Sequence, residues 1–313
     1  MKPLIVIAGP TATGKSKLAV RLAKEIQGEI ISADSMQVYK GMDIGTAKVT
    51  SEEMEGIRHH LIDVLNPDQG CSIAWFQKMV KEAMADIYAR GKVPILAGGT
   101  GFYIQSIIYD VTFTDQEADY SYRNSLEKMA ENGDKALLFS MLEAVDPDSA
   151  KSIHMNNIKR VIRALEYHHL THEPISLHNE REKEKQTPYN LGFYVLNMDR
   201  EKLYTRINHR VDQMMDEGLV QEVKTLLEQG YDKSLVSMQG LGYKEIIGYL
   251  EGAYDLDYAI DLLKKGTRHF AKRQLTWFKR EKNVNWVNLD DHNHDLKEVI
   301  KYIVKDIEVL KFL

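Results

Sequence analysis

The sequence predicts an α/β fold, a parallel sheet with helices on both faces into which an all-helical subdomain is inserted. Two observations carry this. Short, wholly apolar runs alternate with helical patterns through the first part of the chain, as in parallel strands buried on both faces. A long, mostly helical interval then follows, and the strand signal resumes at residue 191. Apart from the fold, a formal net charge of -5 hides local patches, a strongly basic stretch, "TRHFAKRQLTWFKREK" (267–282), and an acidic one, "DVTFTDQEADY" (110–120).

With 313 residues, 43% hydrophobic and 28% charged, the chain has sequence enough for one large or two smaller domains. No apolar run is long enough to span a bilayer, so no membrane association is expected. The start, "MKPLIVIAG", goes straight into a strand-like run without a leader or cleavage pattern, and a signal peptide is not expected. A single cysteine, Cys71, allows no internal disulfide and no thiolate pair for zinc. It reads as a buried structural thiol in a protein of the reducing cytoplasm.

The elements follow in order. "LIVIA" (4–8) is a buried strand, and "KSKLAVRLAKEI" (15–26) a helix with Leu18, Ala19, Leu22, Ala23 and Ile26 on one face. "EIISA" (29–33), "HHLIDV" (59–64) and "VPILAG" (93–98) are further strands, with a helix over 72–91 before the last. Residues 113–190 form the inserted helical subdomain. It ends in the charge run "HNEREKEKQTP" (178–188), which reads as a solvated mobile loop. "LGFYVLNM" (191–198) returns to the sheet, so that 1–112 and 191–313 make the core. After helices up to 282, "NVNWVNLD" (283–290) is a short strand and an amphipathic helix ends the chain.

Gly9, Gly14, Lys15 and Ser16 fit G-x-x-x-x-G-K-[ST] between a strand and a helix, the arrangement of a P-loop. The segment Gly9, Pro10, Thr11, Ala12, Thr13, Gly14, Lys15 and Ser16 is therefore the predicted phosphate cradle of a P-loop NTPase-like sheet. Backbone amides and Lys15 meet the anion, and the Ser16 hydroxyl is a ligand for Mg²⁺. Two carboxylates are candidates beside the cradle. Asp63 lies within a strand-like run, whereas Asp34 ends its strand and opens a polar loop at the carboxyl edge of the sheet, where such folds bind ligands. Asp34 is favoured. The second glycine-rich edge, "LAGGTGFYIQ" (96–105), holds Thr100 either in a plain turn or at the same crevice.

Together, "GPTATGKS", "SADSMQVYKGMDIGTAK", "HHLIDV", "LAGGTGFY", "NNIKRVIRALE", "SMQGLGYKE" and "TRHFAKRQLTWFKR" resemble the bacterial-type tRNA dimethylallyltransferases, in the same order along the chain. The resemblance implies transfer of a dimethylallyl group from dimethylallyl diphosphate to N6 of the adenosine 3′-adjacent to the anticodon, with diphosphate released. It implies Asp34 as general base, Thr100 near the leaving oxygen or the amine, and Arg123 on the diphosphate. From the sequence alone Arg123 is an arginine on a helix surface. The implied partners are dimethylallyl diphosphate and the tRNA anticodon stem-loop, with Mg²⁺ as cofactor; a monomer without an obligate protein partner is expected.

A stacked base must be extruded to react, and the phosphates around it held. "NNIKRVIRALEYHHL" puts Ile158, Val161, Ile162, Leu165 and His169 on one helix face and Lys159, Arg160 and Arg163 on the other, a solvated basic face or a phosphate contact. In "TRHFAKRQLTWFKR", His269, Arg273, Thr276 and Arg280 form a polar stripe, with Lys272 nearby; Ala271, Leu275 and Phe278 form an apolar one. Trp277 lies between them, packing internally or stacking on a base. The loop Asp34, Ser35, Met36 and Gln37 lies beside the target adenine in this reading, with Gln37 reading a base edge. Gln239 and Lys244 sit among glycines that permit close approach, or in a simple helix-start loop. The histidines at 154, 168, 169, 172 and 178 have irregular spacings that form no zinc set. The alternatives are an adenylate isopentenyltransferase, a small-molecule P-loop kinase, or an RNA-binding module with a vestigial P-loop.

Overall fold

The computed structural model describes residues 1–113 and 120–309, so most of the acidic stretch at 110–120 lies outside the described residues. The chain divides into two compact units, one made of Met1–Ile108 with the residues from Thr187 on, the other of Tyr109–Gln186. The first unit begins with β1 (Lys2–Ala8), α1 (Lys15–Glu25), β2 (Gly28–Ala33), β3 (His59–His60), α2 (Ile73–Ala89), β4 (Val93–Gly98) and α3 (Gly101–Ile108). The second unit holds α4 (Tyr120–Glu131), α5 (Lys135–Val145), α6 (Pro147–Ser152), α7 (Ile158–Thr171) and α8 (Ile175–Glu184). The first unit resumes with β5 (Tyr189–Asn197), α9 (Arg200–Asp216), α10 (Leu219–Glu228), α11 (Tyr243–Leu250), α12 (Leu256–Phe278), β6 (Asn285–Asn288) and α13 (Leu296–Val309).

Among the described residues the strands form one sheet in the order β3-β2-β4-β1-β5-β6, parallel throughout. β1 is its hub, with Ile5 opposite Ile95 of β4 on one side and Gly192 of β5 on the other. Leu4, Ile5, Val6, Ile7 and Ala8 are fully buried. Burying each of the larger four is worth about 1.5–3 kcal/mol, which fixes the strand from which the phosphate loop springs. Ile5 and Ile7 pack in one core with α1, α9 and α13, and alternation sends Leu4 and Val6 to the opposite face. Helix starts follow the sequence. Ser72 accepts from Trp75 N before α2, and Asp255 from Tyr258 N before α12. No described helix is long and apolar enough to cross a membrane.

Two expectations about elements need correction. The strand expected over 59–64 is only His59–His60, because Leu61 and Asp63 turn to φ +61° and +55°. Asp63 is exposed there and bound to Lys48 Nζ at 2.6 Å, so it is a structural carboxylate at the sheet edge. The charge run at 178–188 is not a loop through most of its length, since α8 continues to Glu184. Its Glu, Arg and Lys residues are good helix formers, and Arg181–Glu173 and Lys185–Glu182 ion pairs brace it.

The second unit has its own core of Leu126, Leu138, Leu142, Val161, Ile162 and Leu165. Asp146 joins its elements by accepting from Ser149 N and Ser176 N, both at 3.0 Å.

Candidate active site

β1 leads into a turn that only glycine can begin. Gly9 has φ +140°, and a Cβ there would lie 2.6 Å from the Leu196 carbonyl oxygen of β5. Gly14, at φ +85°, turns the loop into α1 without a side-chain cap, leaving the first-turn amides free for an anion. Inside the loop, Thr13 Oγ1 and Lys15 Nζ donate to the Pro10 carbonyl oxygen at 2.8 and 2.7 Å. Outside it, Gln274 of α12 is a clip: its Oε1 accepts from Thr11 N and its Nε2 donates to the Gly99 carbonyl, both at 3.0 Å. Arg210 of α9 donates to Thr11 Oγ1 at 3.1 Å.

The ends of β2 and β4 meet the same crevice. A Cβ at Gly98 would lie 2.2 Å from the Ala33 carbonyl oxygen, so the two strands close up there. Thr100 N donates to that carbonyl, and Thr100 Oγ1 accepts from Ser35 N at 3.4 Å. Thr100 thus fixes the turn that carries Asp34. Asp34 Oδ1 accepts from Met36 N at 2.9 Å, and no described residue donates to its other oxygen.

These elements enclose a cavity of about 380 Å³ lined by Thr11, Lys15, Ser16 and Asp34 together with Arg210, Lys244 and Arg273. Among the described lining residues the basic side chains Lys15, Arg210, Lys244 and Arg273 outnumber the one carboxylate, Asp34, with Lys244 also 3.7 Å from Glu245 Oε1, and this excess of basic groups suits an anion. Desolvation, with the Arg210 guanidinium nearby, lowers the Lys15 pKa to about 7, while Asp34 acts in the opposite direction. Burial also lowers the Arg210 pKa, yet a guanidinium remains charged at neutral pH. The lining also includes the apolar side chains of Ile207, Val211, Met214, Leu241, Leu263 and Phe270.

A family model described as IPP transferase matches residues 37–281. The chain belongs to the IPP transferase family. It is 55% identical over 314 residues to the tRNA dimethylallyltransferase of Lachnoclostridium phytofermentans, covering 99% of this chain and 100% of that one. Its fold is similar to the full-length tRNA isopentenylpyrophosphate transferase of Bacillus halodurans, with a TM-score of 0.74, 44% identity and coverage of 99% and 98%. A eukaryotic dimethylallyltransferase, described as acting on tRNA, superposes with a TM-score of 0.81 at 32% identity, over 92% of this chain and 74% of that one.

In this family member the cavity brings together many of the residues singled out in the sequence. Thr11, Lys15, Ser16, Asp34, Ser35, Met36, Gln37, Gln239, Lys244 and Arg273 all line it, with Gly9, Pro10, Ala12, Thr13 and Gly14 building the loop behind. The Gln37 amide is already engaged, donating to the Thr46 and Ala47 carbonyls at 3.3 Å and accepting from Ser32 Oγ at 3.2 Å. Gln239 donates to the Lys233 carbonyl. Lys272 lines a different cavity with Arg200, Tyr204 and Lys279, and Arg280 is exposed beyond α12.

Trp277 is half-buried: its Cδ1 would be 2.2 Å from a Cβ at Gly101, and its ring meets that of exposed Phe102 edge-on. The Cys71 thiol is half-buried rather than buried, 3.5 Å from the Tyr103 hydroxyl, and burial raises its pKa.

In the second unit, Arg123 is bidentate on buried Glu166, Nε to Oε1 at 2.6 Å and Nη2 to Oε2 at 2.8 Å. On α7, Lys159, Arg160 and Arg163 are exposed opposite buried Val161, Ile162 and Leu165. His169 is exposed too and stacks on Tyr122 with ring centroids 4.0 Å apart.

Sequence reasoning missed Arg210 and Gln274. Both carried a signal. Arg210 stands among Ile207, Val211 and Met214 on the inward stripe of α9, and Gln274, 6% exposed, lies between Ala271 and Phe278 on the inward stripe of α12. A polar residue on an apolar helix face must find a partner.

Proposed function

We propose that the chain transfers a dimethylallyl group from dimethylallyl diphosphate to N6 of the adenosine 3′-adjacent to a tRNA anticodon, releasing diphosphate. The single observation that carries this reading is that one cavity is lined by the P-loop with Lys15, by Arg210, by a single carboxylate, Asp34, and by apolar side chains. The diphosphate lies on the P-loop amides, Lys15 and Arg210, and the five-carbon group lies against the apolar side chains of the lining. The names of the similar proteins, tRNA dimethylallyltransferase and tRNA isopentenylpyrophosphate transferase, support a five-carbon prenyl group and a tRNA acceptor.

The acceptor nitrogen is conjugated with the purine and is a weak nucleophile until its proton is removed. Asp34 accepts that proton as the N6–C1 bond forms and the C1–O bond breaks, with the bonding pair leaving on the diphosphate. Lys15 and Arg210 stabilise the charge that grows on the leaving group. Thr100 holds the turn that aims Asp34. The Ser16 hydroxyl is a hard oxygen donor in the cavity wall, and no cluster of three metal-binding side chains occurs among the described residues. Mg²⁺ therefore fits as an ion held by Ser16 and the donor's own oxygens, where it would supply further charge neutralisation.

Gln239, Lys244 and Arg273 at the cavity, and Lys272 and Arg280 beside it, are assigned to the tRNA. Following the family resemblance, Lys159, Arg160 and Arg163 of the second unit are assigned to its phosphates, and Arg123 to the diphosphate. A cytoplasmic monomer that needs no protein partner completes the reading.

The test is a transfer assay with labelled dimethylallyl diphosphate and a choice of acceptors. Label should enter unmodified tRNA and not AMP, and ATP should neither be consumed nor be required. Label in AMP instead of tRNA would point to the free-nucleotide enzyme, and ATP consumption to a kinase.

A further inference from the structure

Two loops line the cavity with Asp34, one following β2 and one preceding α11, and a single side chain ties the first to Tyr243, the residue that opens α11 directly after the second. Glu222 stands half-buried on α10. Its Oε2 accepts from the backbone amides of Asp43 and Ile44 at 2.9 and 2.7 Å. Its Oε1 accepts from Gly45 N at 3.0 Å and from the Tyr243 hydroxyl at 2.7 Å. Three successive amides and a phenol converge on one carboxylate, which only an anion with two acceptor oxygens can satisfy.

The steric fit has the same purpose. The Tyr243 ring, fully buried, lies 2.6 Å from where a Cβ at Gly45 would be, and Met36 Cε is 2.6 Å from where one at Gly240 would be. The loops therefore interlock at two glycines and are fastened at Glu222. Immediately beyond the fastened residues, Thr46 and Ala47 line the cavity and their carbonyls hold the Gln37 amide, beside Asp34.

We propose that Glu222 is a positioning residue for the transfer reaction, holding the acceptor side of the cavity in the shape that receives the adenosine. This rests on the prenyl-transfer reading given above. Glu222 is absent from the cavity lining and from every contact of the P-loop described above, so its loss should affect the acceptor and spare the donor.

The experiment compares the full chain with Glu222→Gln, Glu222→Ala and Tyr243→Phe. Glutamine keeps one acceptor oxygen but turns an NH₂ toward the amides. Steady-state KM for unmodified tRNA, kcat, the Kd for inorganic pyrophosphate and Tm are measured for each. The KM for tRNA should rise on the order of tenfold in Glu222→Ala, less in Glu222→Gln and least in Tyr243→Phe, with pyrophosphate affinity unchanged. An unchanged KM for tRNA in Glu222→Ala, or pyrophosphate affinity falling in parallel with KM, would overturn the role of Glu222. Should Glu222→Ala not fold, Glu222→Gln and Tyr243→Phe decide by the same two readouts. A wild-type chain that prenylates no tRNA would overturn the activity itself, and the role of Glu222 with it.

Discussion

Lys15 shows how a residue's surroundings become a functional property. Desolvation beside Arg210 lowers its pKa to about 7 before any anion arrives. A bound diphosphate opposes both effects and raises that pKa, so binding draws in a proton when the free lysine is neutral. Affinity for dimethylallyl diphosphate should therefore fall as the pH rises above about 7, by up to about tenfold per pH unit. Titration calorimetry across pH should show this slope, with proton uptake in buffers of different ionisation enthalpy. Lys15→Arg should flatten the slope, and an equal slope in the arginine variant would assign the titration elsewhere. The identities of Lys15, Ser16 and Asp34 were readable because spacing and strand ends declare them. Arg210 was not, because its partner Thr11 lies 199 residues away and only the packing of α9 brings them together.

At the scale of elements, α12 does two jobs with one helix. Its inward stripe closes on the sheet core at Ala271 and Phe278, and Gln274 in that stripe clips the P-loop to the turn after β4. Gln274→Leu keeps the volume and leaves Thr11 N and the Gly99 carbonyl without their partner. Each stranded group costs about 1–3 kcal/mol, so a fall in stability of a few kcal/mol is expected, together with weaker pyrophosphate binding. Chemical denaturation and a pyrophosphate Kd measure the two separately, and full stability with full affinity would remove the clip from the account. On α7 the exposed Lys159, Arg160 and Arg163 leave the unit's core untouched. Arg160→Ala with Arg163→Ala should raise the KM for tRNA and shallow its salt dependence without changing Tm. An unaltered salt slope would clear both residues of phosphate contact.

Legibility also varied by element. Strands such as Val93–Gly98 were readable from continuous apolar runs, whereas the stretch after His60 failed as a strand because two left-handed residues and the Lys48–Asp63 pair decide its course. For α8, charge density suggested a loop, but helix propensity and local ion pairs prevailed.

For the whole molecule, the sheet order sets out the site. β1 lies at the hub, between β4, which ends in the glycine turn with Thr100, and β5, whose Leu196 presses on Gly9. Asp34 reaches the same crevice because β2 is the next strand beyond β4. Three segments far apart in sequence thus bring the P-loop, the Thr100 turn and the Asp34 carboxylate to one carboxyl edge. The measurement that tests this most directly is single-turnover transfer from labelled dimethylallyl diphosphate to unmodified tRNA by the wild-type chain and Asp34→Asn. In the wild type one diphosphate should be released per prenylated adenosine. In the asparagine variant the rate should fall by about 10²–10⁴-fold with pyrophosphate affinity retained. A rate in Asp34→Asn equal to that of the wild type would contradict it.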